Sequence, residues 1–395
     1  MRISVALPFA TMLTIALFPV NAAIIPQYVY VGNAGDTSIS VFAVNSNGTL
    51  KPLEPRVISP MCGTPTYLST AGKVLLAAGD YTPACNPGEL GGALIYLYPI
   101  LSSGKLGAVP QAFENDVEDA ALDKTGKLAF TSAASFNPHA FQVSINGWNV
   151  SKGNLKTSLP GSPYTFFFNS QTGDGYLPYA LQVAASDEFL YGVFSSYSGF
   201  NQTGAGLLGV MTLLSDGGIG RFVAKPAMGC KGSGVTGVSG PSLLVVKLTS
   251  ETVAYLPCSG GTAKKVIGIS IINTSTGVVS RIYDAFKPPS GLSLKPVAVD
   301  PSGKWLAASN GAGKIDILAI NQTSGTLSEP SHHIFSLGGN SVAFDHTGNF
   351  LYAAQTSKNQ VAVYAFNPKT GIITLPALGS ERTGPSPTVV VVAQP

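Results

Sequence analysis

Short apolar runs alternate with turns rich in Gly, Asn, Asp and Pro along almost the whole chain, and the alternation itself repeats. The unit is two strand-like runs joined by an Asp-x-[Ser/Thr]-Gly-x turn, followed by a third run and a Gly-x-[Leu/Ile/Val] turn. Seven copies of the third run can be aligned. They start at Ile39, Leu94, Ala140, Leu208, Val266, Ile315 and Val361. Six steps separate the first from the last, a mean period of about 54 residues, which lies in the range of propeller repeats.

The best copies show what each run is. Pro296-Val-Ala-Val-Asp300 predicts an inner strand, Trp305-Leu-Ala-Ala-Ser309 a second, Ile315-Asp-Ile-Leu-Ala-Ile320 a third, and an outer strand falls near Leu327. The last full copy repeats them from Ser341 to Asn367. Four short strands per repeat, with Gly, Asn and Asp where turns need positive φ, predict a blade. The third strands are apolar at both parities: Ile315, Ile317 and Ala319 on one face, Leu318 and Ile320 on the other. A sheet with one wet face would alternate, so each blade is packed between two neighbours. The fold class is therefore all-β, a seven-bladed β-propeller. The chain begins at a second-strand run, Tyr28-Val-Tyr-Val-Gly32, and ends with a lone inner-strand run, Pro387-Thr-Val-Val-Val-Val392. Blade 1 is thus closed by the C-terminal strand, which leaves no free edge at the seam. The step from Ala140 to Leu208 is the longest. Its excess, around Asn149 to Tyr179, reads as a long outer hairpin in blade three or four.

The N-terminus changes the picture from fold to compartment. Arg2, the apolar run Ile3 to Val20, and small residues before a cut after Ala22 read as a secretory signal over 1–22. Residues 23–395 then form the single propeller, secreted or periplasmic, with no membrane span in the mature form. Export places the four cysteines in an oxidising compartment. Cys62 and Cys85 flank the first two strands of one repeat, and Cys230 and Cys258 occupy the equivalent places of another. In an up-and-down blade those places lie at one end, so the expected bridges are Cys62–Cys85 and Cys230–Cys258. Without a Cys-x-x-Cys spacing, a four-thiolate metal site is not indicated.

Only 11% of residues are charged, against about 25% in ordinary domains, and the net charge is +3. Nothing there calls for nucleic acid as a partner. A monomer is expected.

The end of the disc where inner strands are entered collects the long loops. Asp80, Tyr81, Phe136, Tyr197 and Phe200 sit in them and form the expected binding rim, since a rigid scaffold aims its loops. The acidic run containing Glu114, Asp116, Glu118 and Asp119 reads as a loop entering at that end. Its simplest role is a solvated loop. As chemistry, Glu114 and Asp116 could hold Ca²⁺, although the spacing matches no defined calcium loop. Glu118 and Asp119 could serve as acid and base, with His139 as the candidate catalytic histidine. No Gly-x-Ser-x-Gly elbow, His-Glu-x-x-His or phosphate loop is present. Five Asn-x-[Ser/Thr] sequons occur, at Asn47, Asn149, Asn201, Asn273 and Asn321.

The repeats resemble the lactonase-type and YVTN-type seven-bladed propellers. The resemblance rests on Tyr28-Val-Tyr-Val-Gly-Asn33, Asp300-Pro-Ser-Gly-Lys-Trp-Leu-Ala-Ala-Ser-Asn310, Asp345-His-Thr-Gly-Asn-Phe-Leu-Tyr-Ala-Ala354 and Asn367-Pro-Lys-Thr-Gly371. That family includes 6-phosphogluconolactonase-like and muconate-cyclising members, which look to use His, Glu and Arg on the channel face. The resemblance implies lactone hydrolysis or cycloisomerisation. The family's Asp-Leu-Gly-x-Asp stretch and His-x-His site do not occur here, and Asn137-Pro-His139 is a partial echo. The residues themselves favour an exported scaffold that binds a protein, a carbohydrate or a small lactone on its loop face.

Overall fold

A computed structural model describes residues 25–395 except 55–56, 59–63, 81–92, 109–111, 138–139, 153, 167, 170–173, 185–187, 199–200, 225–226, 229–242, 250, 260–264, 274, 287–294, 310–313, 329–333 and 337–340. It is an all-β, seven-bladed ring. Among the described residues the strands form six hydrogen-bonded sheets, one of them eight-stranded and carrying two blades. Blade 1 runs outward from Pro387–Ala393 through Tyr28–Asn33 and Ser38–Val44 to Leu50–Pro52. The closing strand pairs antiparallel with the first, Val390 opposite Val31 and Ala393 opposite Tyr28, so the seam joins residues from the two ends of the described chain.

Blades 2 and 3 share a strand. Ala112–Leu122 pairs with Ala93–Pro99 of blade 2 and then with Leu128–Asn137 of blade 3, and Val117 faces Ala93 on one side and Ala133 on the other. Blades 5, 6 and 7 are regular: Leu244–Lys247 leads blade 5, Lys295–Val299 blade 6 and Ser341–Phe344 blade 7.

Both faces of the sheets are buried, as the double-parity pattern requires. Tyr30, Ile39 and Val41 of blade 1 pack on Leu68, Leu75 and Tyr96 of blade 2. On the other face Val29, Val31 and Phe42 pack on Tyr352, Val361 and Val363 of blade 7. Each fully buried side chain of this size stabilises by about 1.5–3 kcal/mol.

Polar groups set the spacing between blades. A tyrosine in the second strand reaches a turn carbonyl of the next blade: Tyr30 donates to Gly104 O (2.8 Å), Tyr255 to Gly325 O (2.7 Å) and Tyr352 to Gly48 O (3.2 Å). Gly48 needs to be glycine twice over. Its φ is +81°, and a Cβ there would sit 2.3 Å from the Phe350 ring. The repeated Asp turn is a cage for one carboxylate. Asp345, 1% exposed, accepts the amides of Thr347 (3.0 Å), Asn349 (2.8 Å) and Phe350 (2.8 Å), together with the Thr347 hydroxyl. Asp300 does the same with Ser302, Lys304 and Trp305. Asp123 accepts from Thr125 and Leu128.

The structure corrects three readings. The long segment between blades 3 and 4 is not an outer hairpin. Tyr164–Phe166 pairs with the third strand of blade 3, and Phe168–Asn169 folds back on Asp174–Gly175 to extend the inner strand of blade 4. The acidic run is not a loop, because Glu114, Asp116, Glu118 and Asp119 lie in the strand Ala112–Leu122. Phe136 and Tyr197 are in strands as well. The second and third strands of blade 3 stay paired past Ala133 to Asn137 opposite Ala140, and those of blade 4 to Ser198 opposite Asn201. Ser-, Gly- and Asn-rich composition reads as loop, yet cross-strand pairing carried these two hairpins beyond the body of the disc.

Candidate functional site

The inner strands of all seven blades surround a central channel. Its cavity, about 380 Å³, is lined by residues of every blade, among them Tyr67, Asp119, Gln182, Leu244, Ser341 and Val389. An inner strand has a free edge, and its outward-facing amides need acceptors. Side chains from the neighbouring blade supply them. Asp119 Oδ2 accepts the Leu181 amide at 2.6 Å, Gln182 Oε1 the Val245 amide at 2.8 Å, and Ser341 Oγ the Val390 amide at 3.1 Å. Two threonines tie the seam in the same way: Thr70 donates to Val392 O (3.0 Å) and Thr388 to Pro65 O (2.7 Å). Among the described residues these side chain to backbone bonds span four of the seven blade junctions, 7–1, 1–2, 3–4 and 4–5.

At the loop-face end the inner strands of blades 1, 2, 3, 4 and 6 each carry one extra residue. The bulged residues are Thr388, Thr66, Glu118, Tyr179 and Val297. A bulge twists the strand and re-aims the residue that follows it. Tyr67 and Asp119 are the residues that follow in blades 2 and 3, and both line the channel. Asp119 is also fixed through its backbone, its amide donating to Ser132 Oγ at 3.0 Å. Burial, reinforced by the Asp119 carboxylate, pushes the Tyr67 phenol far above its ordinary value, against a smaller opposing effect of Ser69. Tyr67 therefore keeps its proton at neutral pH and acts as a hydrogen-bonding hydroxyl, not as a base.

The residues singled out in the sequence are distributed unevenly. Asp119 is in the channel wall. Glu118 is the bulged residue beside it, and Glu114 and Asp116 lie further back on the same strand. Asp80 ends the second strand of blade 2, opposite Thr64 and Ala93. Phe136 faces Phe141, and Tyr197 faces Gly175 and Gln202 in the ladder. Cys258 lies inside the strand Thr252–Ser259, opposite Val266, one step earlier than the loop expected for it. His139, Tyr81, Phe200, Cys62, Cys85 and Cys230 lie outside the described residues. The described arginines, Arg221, Arg281 and Arg382, are all exposed and sit on outermost strands. Tyr67, Gln182 and Ser341 were missed. For two of them the signal was positional: by register Tyr67 and Ser341 occupy the place of Asp119 in their blades, whereas Gln182 lies two residues beyond it in blade 4.

Among the described residues no group of three or more His, Cys, Asp or Glu is placed to hold a metal ion, and no helix is long and apolar enough to cross a membrane.

Residues 270–392 match the family model "Lactonase, 7-bladed beta-propeller". The chain resembles the lactonase-type seven-bladed propellers. The match covers blades 6 and 7, the end of blade 5 and most of the closing strand, where the Asp cages at Asp300 and Asp345 lie. Solved structures extend the likeness in fold to the whole ring. A putative 6-phosphogluconolactonase from Bacteroides fragilis superposes with a TM-score of 0.66 at 15% identity, covering 94% of this chain and 99% of that one. The periplasmic gluconolactonase of Pseudomonas aeruginosa gives 0.63 at 16% identity, with 94% and 100% covered. A putative 6-phosphogluconolactonase from Bacteroides uniformis gives 0.64 at 17%, with 93% and 100%. No curated protein sequence matches the chain.

Proposed function

We propose that this lactonase-like propeller is an exported binding protein that takes a small hydroxylated ligand, a sugar or its lactone, at the loop-face mouth of the channel. One observation carries the reading: the carboxylate of Asp119 already accepts the Leu181 amide at 2.6 Å. A carboxylate oxygen that accepts a backbone N–H of the neighbouring blade is fixed in position by the scaffold. Asp119 is then suited to hold a ligand hydroxyl, as Tyr67 and Gln182 beside it are.

A second reading, lactone hydrolysis or cycloisomerisation, is favoured by the lactonase match over residues 270–392. It would use Glu118 or Asp119 as base, His139 as acid, and the Tyr67 hydroxyl as donor to the oxyanion. Glu114 and Asp116 remain the residues that would bind Ca²⁺.

The test is calorimetric binding and hydrolysis measured together. The mature protein is titrated with aliphatic and sugar lactones and the parent sugars, with Ca²⁺ or EDTA, beside Asp119→Asn, Asp119→Ala and His139→Ala. Binding without turnover is expected. Asp119→Asn keeps an acceptor for Leu181 but loses the charge, and should weaken binding about tenfold or more, since a hydrogen bond to a charged group is worth about 1.5–3 kcal/mol. Turnover that disappears in His139→Ala would replace this reading with the hydrolase.

Export and the disulfides belong to the same proposal. The secreted chain should begin at Ala23, and non-reducing peptide maps should link Cys62 to Cys85 and Cys230 to Cys258. A cytosolic product with four free thiols would refute it.

A further inference from the structure

We propose that Asn47, Asn273 and Asn321 are N-glycosylation sites and that their glycans cover the turn face of the disc. The inference rests on the export reading above, because only an exported chain meets the lipid-linked oligosaccharide donor. The three asparagines lie in the turn between third and outer strands of blades 1, 5 and 6, Asn273 and Asn321 directly after the third strand and Asn47 two residues further, where Asn45 holds the first place. In an up-and-down blade that turn lies at the end opposite the channel mouth described above.

Each of the three is exposed, and each has the same local geometry. The side-chain oxygen is turned back on the chain, accepting the amide two residues on: Thr49 N at 3.1 Å, Ser275 N at 3.0 Å and Thr323 N at 2.9 Å. The side-chain nitrogen, the atom that would be modified, has no acceptor among the described residues in any of the three. Asn149, the fourth sequon near this face, differs. It lies on the third strand of blade 3, and its nitrogen donates to Thr157 Oγ1 at 3.0 Å.

Turn geometry alone explains the asparagine, which is favoured in such turns. In blades 1 and 5 the hydroxyl also serves the turn, Thr49 Oγ1 donating to Asn47 Oδ1 at 2.7 Å and Ser275 Oγ to Asn273 Oδ1 at 2.8 Å, so it is at Asn321 that turn geometry gives the hydroxyl residue of the sequon no part. Blade 7 builds the equivalent turn with Asn367, Pro368 and Lys369, the Lys369 amide donating to Asn367 Oδ1 at 3.0 Å. That turn forms without Ser or Thr at the third place, and its proline bars it from being a sequon. In blade 6 the Thr323 amide makes the turn bond, as the Lys369 amide does in blade 7.

The reaction transfers an oligosaccharide from a polyprenyl diphosphate. Asn Nδ2 forms a bond to the anomeric carbon, the carbon–oxygen bond to the diphosphate breaks, the lipid diphosphate leaves, and Nδ2 gives up one proton. The product is bulky and solubilising. On the turn face it would shield exposed apolar residues that lie in or beside third-to-outer-strand turns, Val278 in the turn of Asn273 itself and Leu101, Leu214 and Ile372 in other blades.

The whole chain is produced in a eukaryotic secretory host in two forms, one with its own residues 1–22 and one with a borrowed signal. The secreted product is treated with peptide N-glycosidase in ¹⁸O water and mapped by mass spectrometry. Conversion of Asn47, Asn273 and Asn321 to ¹⁸O-labelled Asp is expected, and Thr49→Ala should abolish it at Asn47 alone. Secretion with all three asparagines unmodified overturns the proposal while leaving export standing. Retention of the own-leader form in the cytosol, beside a glycosylated borrowed-leader form, overturns export and with it natural glycosylation, although the turns accept glycan.

Discussion

Removing residues 388–395 abolishes the folded ring. The strand Pro387–Ala393 supplies the whole inner position of blade 1, pairing residue by residue with Tyr28–Asn33. Val389, Val390 and Ala393 are buried, Thr388 ties blade 1 to Pro65, and the Val390 amide satisfies Ser341 across the other seam. Burial of the two valines contributes about 1.5–3 kcal/mol each, and each hydrogen bond lost adds about 1 kcal/mol. The sum is on the order of 10 kcal/mol, comparable to the whole stability of a native protein, about 5–15 kcal/mol. The truncated chain should show no cooperative thermal transition by circular dichroism and should bind a hydrophobic dye. Adding a synthetic peptide of residues 387–395 should restore part of the transition. A truncated chain that melts like the intact one would mean that the ring does not depend on its seam.

The second large effect belongs to Asp345→Ala. The buried carboxylate holds three amides and one hydroxyl of its own turn, and alanine removes the acceptor that they share. A cost of about 2–4 kcal/mol is expected from one such group and its several partners. Asp300→Ala should match it, because the cage is the same. The two turns approach each other, a Cβ on Gly348 lying 4.0 Å from Asp300 Oδ2, so the double variant should depart from additivity. The measurement is the thermal midpoint of the single and double variants. A change within a few tenths of a kcal/mol in Asp345→Ala would show that the cage is ornamental.

These two effects fall on features that the sequence displayed openly. The apolar third strands, the Asp cages and the stray inner strand at Pro387 are local patterns, and each repeats, so one copy interprets the next. The channel is different. Tyr67, Asp119, Gln182 and Ser341 come from four blades and meet only because the ring closes. No spacing along the chain connects them. Asp119 was noticed for its acidic neighbours, and its role in holding Leu181 depends on a strand contributed by another blade. The bulges that set Tyr67 and Asp119 leave no mark in composition. The acidic run itself misled, because charged residues are depleted from strands and Glu114 to Asp119 nevertheless form one. The hairpins through Phe136 and Tyr197 misled for the same reason, being rich in turn-forming residues and yet paired along their length.

The strand Ala112–Leu122 has a further meaning for motion. Adjacent blades of a propeller ordinarily meet through side chains, so each can breathe on its own. Here Val117 is bonded into blade 2 and blade 3 at once, so hydrogen exchange should show the two blades opening together as one cooperative unit. Among the described residues the other blades form separate sheets, so independent breathing is expected at their seams and not between blades 2 and 3.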